Sequence, residues 1–86
     1  MENVNNSTQV IQNEMVKIIS SIKKVHPNKL LEVRDFTELD FDILDVVDII
    51  LAVEKNYHLT IPDEVPVYSI DDFINYVYTQ NHKQAS

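Results

Sequence analysis

Apolar residues along the chain fall into three helical stretches separated by irregular segments. Ile11, Met15, Ile18, Ile22 and Val25 recur at spacings of four, three, four and three, which predicts one amphipathic helix. Asn5, Asn6, Ser7 and Thr8 offer its N-cap, and Pro27 disfavours helical geometry at His26, so the helix is expected to end there. Residues 27–41 read as a long loop anchored on the core by Leu30, Leu31, Val33, Phe36 and Leu39; a loop of this length is expected to be functional or firmly packed. A second helix is expected from about Asp42 to Tyr57, capped by Asp40 or Asp42. Thr60, Ile61 and Pro62 lead into at most one helical turn before Pro66. Ser69 caps a last helix, with Asp72 as its third residue and Ile70, Phe73, Ile74 and Val77 as its apolar face. These elements make one all-α domain over residues 7–80, with a flexible N-terminus at 1–6 and a frayed tail at 81–86.

The second helix has two apolar arcs. With Asp42 at zero and about 100° per residue, Val46, Ile49, Ile50, Val53 and Tyr57 span about −20° to 80°. Ile43, Leu44, Val47 and Leu51 span about 100° to 200°, with Glu54 among them at about 120°. A carboxylate inside a buried stripe is costly. One arrangement therefore turns the second arc to solvent, rimmed by Asp45, Asp48 and Glu54, as an apolar patch with a charged border suited to a protein partner. The other buries the helix on most sides and leaves Glu54 at its wet end. The periodicity alone leaves both open.

Charge and composition narrow the functions. Between Glu32 and Asp72 twelve acidic residues face only Arg34 and Lys55, a local balance of −10 within a chain of net charge −7. That field disfavours nucleic acid and anionic membrane and favours basic protein surfaces. Glycine is absent, which removes every glycine-rich phosphate loop, and cysteine is absent, which removes disulfides, thiol chemistry and cysteine zinc sites. No secretory signal and no apolar run of about 20 residues is present, so the expected location is the cytoplasm. His26, His58 and His82 are scattered at expected helix ends without metal-ligand spacing, and no metal is expected. Asp42 and Asp45 could pair as acid and base, but helix-start charge accounts for them better, and no catalytic residue is assigned. The tyrosines are expected to pack with their hydroxyls at the surface.

The segment Leu39-Asp40-Phe41-Asp42-Ile43-Leu44-Asp45 resembles the Leu-Gly-x-Asp-Ser-Leu-Asp segment of acyl carrier proteins. The register continues through Val47, Asp48, Glu54 and Tyr57 to Thr60-Ile61-Pro62-Asp63-Glu64, and Ile74-Asn75-Tyr76-Val77 is similar to the end of the family's last helix. The resemblance covers about residues 8 to 80. It implies a four-helix bundle with three main helices, a long first loop and a short third helix. It also implies docking through the second helix onto a basic patch of an acyl-pathway enzyme. Asp42, Ile43, Leu44, Asp45, Val47, Asp48, Leu51 and Glu54 are the partner-binding residues on this reading.

Three departures qualify the resemblance. Ile43 stands where the family has its phosphopantetheine serine, and an alkyl side chain cannot form the phosphodiester, so no cofactor is expected there. Alanine is the usual engineering choice for a block, so Ile43 reads as natural. Asp40 replaces the glycine of the turn. The segment after Glu64 is short and contains Pro66, which makes the third helix vestigial. Other hydroxyls are poor substitutes: Ser69 reads as a cap, Ser20 and Ser21 lie mid-helix, Thr37 lacks the surrounding motif, and Ser7 and Ser86 lie near the ends. The expected function is thus a non-carrying docking, regulatory or scaffolding module rather than an enzyme. The alternatives are a functioning carrier, blocked by engineering at Ile43 or using another attachment site, and a self-associating structural module.

Overall fold

A computed structural model describes the backbone of residues 3–85 and the side chains of residues 8–80. Four helices follow one another: α1 (Asn3–Lys23), α2 (Pro27–Glu32), α3 (Ile43–Tyr57) and α4 (Ile70–Ala85). α1 packs against each of the other three. No strand forms among the described residues, and none of the described helices is long and apolar enough to cross a membrane.

The core is a single cluster. Met15, Ile19, Leu30, Ile49, Val53, Ile70, Phe73 and Val77 are fully buried, joined by Ile11, Val16, Phe36, Leu39, Ile61 and Ile74. Phe36 links two parts of it, with ring centroids 5.8 Å from both Phe41 and Phe73. All four apolar residues expected on α4 are buried. On α1 the buried face differs from the expected stripe: Ile11 and Met15 are in the core, but Val16 and Ile19 continue it, while Ile18 is half-buried and Ile22 exposed. Six apolar residues between Ile11 and Ile22 cover more than one face of a helix, and contacts with α2, α3 and α4 select among them.

Two further expectations about the first half are corrected. α1 ends at Lys23, not near His26, because Lys24 turns into the left-handed region (φ 58°) while its N–H still bonds to the Ser20 carbonyl. The expected loop over 27–41 begins with a helix. Pro27 takes the first helical position, where its missing N–H costs nothing, and His26 caps it by accepting the Asn28 N–H at Nδ1 (3.2 Å). His26 thus serves a helix N-terminus rather than the negative end of a dipole. Leu30 anchors α2 in the core, whereas Leu31 is exposed.

The rest of the long connection is firmly packed. The Phe36 N–H bonds to the Tyr68 carbonyl and the Ile70 N–H to the Arg34 carbonyl, both at 3.0 Å, stitching it to the start of α4. Arg34 reinforces the junction with two bonds to Asp71 and one to Gln12 of α1. Residues 59–69 are irregular apart from one turn, closed by the Val65 N–H on the Pro62 carbonyl, and form no third-position helix. The fourth helix of the bundle is therefore α2, placed before α3.

The termini are helical where described: α1 begins at Asn3 and α4 continues to Ala85, both stretches lacking proline and glycine. Met1, Glu2 and Ser86, with the remainder of the expected flexible N-terminus and frayed tail as far as side chains are concerned, lie outside the described residues. His82 and Ser7 fall there too.

Candidate interaction surface on the third helix

α3 starts sharply because Asp42 caps it. The Asp42 carboxylate accepts the Asp45 N–H and the Asp45 carboxylate accepts the Asp42 N–H, each at 3.0 Å, a reciprocal capping box. The turn before it needs a left-handed residue, which Asp40 supplies (φ 63°). A glycine is the natural occupant of such a backbone, and aspartate tolerates it better than most side chains. At the other end His58 adopts the left-handed cap (φ 54°), its N–H on the Glu54 carbonyl.

The cap fixes the rotation of α3, and with it the fate of the two arcs. Ile49 and Val53 are buried and Val46, Ile50 and Tyr57 half-buried. Ile43 (76% exposed), Leu44 (69%), Leu51 (58%) and Val47 (41%) all face solvent. The second arc is thus an exposed apolar strip along the helix, and the arrangement that buries it is excluded.

The rim of the strip is less free than the sequence suggests. The Lys23 ammonium, arriving from the end of α1, lies 2.6 Å from Asp45 and 3.2 Å from Asp48. The Asp45 hydrogen bond holds Lys23 above its ordinary value, and in return Lys23, followed by the Asp42 N–H, holds the Asp45 carboxyl below its own. Because the folded value of Asp45 lies below 3.8, its stabilisation is complete above that pH and is lost as pH falls through the folded value. Asp45→Asn is therefore expected to lower the urea midpoint at pH 7, with the gap to the parent chain closing below pH 3.8. A gap that does not narrow as pH falls below 3.8 would assign the loss to something other than this ion pair.

Glu54 is the correction at this site. Its carboxylate accepts the N–H of buried Ile61 at 2.8 Å, so it holds the post-α3 segment against the bundle instead of standing free on the rim. Neither periodicity nor spacing carries this signal, because the partner is a backbone group seven residues away. Glu54→Ala should cost about 1–2 kcal/mol in chemical denaturation, while Glu54→Gln, which keeps an acceptor, should retain most of it. Equal losses in the two variants would place the cost in charge rather than in the hydrogen bond.

Three other hydroxyls, those of Ser69, Tyr57 and Tyr76, make hydrogen bonds that tie elements of the fold together. Ser69 accepts the Asp72 N–H (3.2 Å) and Asp72 accepts the Tyr68 N–H (2.8 Å), capping α4. Tyr57 donates to Glu14 across α1 and α3 (2.7 Å), and burial, then Glu14, pushes its hydroxyl well above the ordinary tyrosine range. Tyr76 donates to the Thr60 carbonyl. Among the described residues no group of three His, Asp or Glu is placed to hold a metal ion.

The structure is thus an acidic helical bundle that turns an apolar strip outward beside a capped helix start. Comparison with known proteins gives the family. The chain is 30% identical over 76 residues to the acyl carrier protein of Buchnera aphidicola subsp. Schizaphis graminum, covering 85% of this chain and 96% of that protein. It is 29% identical over 72 residues to the acyl carrier protein of Wolinella succinogenes, covering 80% and 95%. The putative mitochondrial acyl carrier protein of Schizosaccharomyces pombe is 30% identical over 70 residues, 77% of this chain but 62% of the longer relative. No protein-family model and no solved structure matches the chain. The chain belongs to the acyl carrier protein family, a family of carriers rather than enzymes. At Ile43 the phosphopantetheine group that the resemblance implies does not fit, since its phosphodiester needs an oxygen that this side chain lacks.

Proposed function

We propose that this chain is a non-carrying member of its family, a module that docks on an acyl-pathway enzyme through the start and outer face of α3. The observation that carries the reading is Ile43: the first residue of α3, exposed, without a hydroxyl, and continuous with Leu44, Val47 and Leu51. An alkyl group in this place adds to an apolar contact where a carrier would present its arm. Such a strip is energetically poor on a free surface and suits the centre of a protein interface. Asp42, Asp48 and the remaining acidic surface complement a basic border on the partner; a cytoplasmic setting is part of the same proposal.

A second reading, a functioning carrier loaded at another hydroxyl, is favoured by the names of the relatives described above, which are acyl carrier proteins. Intact mass before and after incubation with coenzyme A and a broad-specificity phosphopantetheinyl transferase separates the two. An unchanged mass is expected. A gain of one phosphopantetheine would overturn the docking-only reading, and peptide mapping would then name the residue that carries the arm.

A further inference from the structure

Beside the start of α3 a cavity of about 400 Å3 opens between that helix and the turns after it. Phe36, Phe41, Val46, Ile50, Ile61 and Val67 are among its walls. Ile43 and Val47 also line it, and both belong to the exposed strip, so cavity and strip form one continuous apolar surface. Two carboxylates, Asp42 and Asp63, are among the lining residues, and no cation is. The segment forming the outer wall is tied at Ile61 and at Tyr68, with a single turn between Pro62 and Val65 in the stretch between these ties.

We infer that this cavity receives an apolar side chain of the docking partner, a leucine- or phenylalanine-type knob flanked by lysine or arginine. The inference rests on the docking reading and adds the anchor to it. A partner that covers Ile43 and Val47 also covers the mouth of the cavity, and leaving an apolar void beneath a closed interface forfeits the contacts that drive association. The volume falls within the usual range for a binding pocket and accommodates a large side chain. Charge selects the flanks: Asp42 and Asp63 attract a cationic border and repel the carboxylate head of a free fatty acid.

The test uses defined probes: an amphipathic helical peptide with lysines flanking a central phenylalanine, and the same peptide with alanine there. Binding is read by fluorescence anisotropy against the full chain, Val47→Arg, and two cavity-filling variants, Val67→Trp and Val65→Phe, each checked for helicity by circular dichroism. The phenylalanine peptide is expected to bind the parent chain on the order of tenfold to a hundredfold more tightly than the alanine peptide. The filled variants should bring that ratio to about one while keeping the affinity for the alanine peptide, and Val47→Arg should weaken both peptides. A ratio unchanged by filling overturns the anchor while docking stands. Indifference of both peptides to Val47→Arg, or no binding of either, removes the docking face and the anchor with it. Tighter binding of dodecanoate than of the phenylalanine peptide, or a dimer in sedimentation that Val67→Trp dissolves, gives the cavity to a lipid or to a second copy and overturns the proposal.

Discussion

Ile43→Ser is expected to yield a protein that takes up a single phosphopantetheine arm from coenzyme A in the presence of a transferase, where the non-carrying reading has the parent chain take up none. The substitution restores a nucleophilic oxygen at the first residue of α3, where the side chain is 76% exposed and flanked by the Asp42 cap and Leu44. Serine at a first helical position disturbs no hydrogen bond of the helix, so α3 should keep its length and its capping box. Intact mass reads the outcome directly, and full conversion against none in the parent chain is the largest functional effect predicted for any single substitution. A serine variant that stays unmodified, with its circular dichroism unchanged, would mean that the likeness to a carrier stops short of the attachment site. The left-handed Asp40 would then be the next residue to change, to glycine.

Phe73→Ala is expected to bring the domain to the edge of unfolding. Phe73 is fully buried and meets Phe36, so it joins α4 to the long connection. Truncating such a side chain removes its transfer free energy and leaves a cavity, together about 3–5 kcal/mol. A domain of 86 residues has a total stability of about 4–13 kcal/mol at typical values per residue. The loss therefore consumes much or all of it. Urea denaturation followed by circular dichroism should show a midpoint near zero or far below that of the parent. A cost under about 1.5 kcal/mol would mean that the surrounding helices close over the gap, contrary to the usual partial relaxation of packed cores.

How much of the fold is legible in the sequence depends on the range of the interaction involved. α3 is legible as a helix because its determinants are local, an aspartate cap and a clean 3.6-residue period, whereas which of its two arcs faces solvent is decided only by packing. α4 is legible for the same reasons. The register of α1 is not, because Val16 and Ile19 compete with Ile18 and Ile22 on composition alone, and only packing against three helices decides. α2 is hidden by the double meaning of proline: by sequence Pro27 signals the end of one helix, and in the structure it begins the next, capped by His26. The contacts of Lys23 and Glu54 are not legible in the sequence for a further reason. Each acts on a group outside its own helical neighbourhood, Asp45 and Asp48 in one case and a backbone N–H in the other.

The clasp of Lys23 on Asp45 and Asp48 also changes how ionic strength should act on the protein. Added salt screens attraction between an acidic surface and a basic partner. Here the same salt loosens an internal cation from two carboxylates beside the proposed docking face, freeing negative charge that a basic partner would use. The two effects oppose each other. Association through α3 should therefore fall with salt more gently than a count of its carboxylates implies, and more steeply once Lys23 is replaced by glutamine.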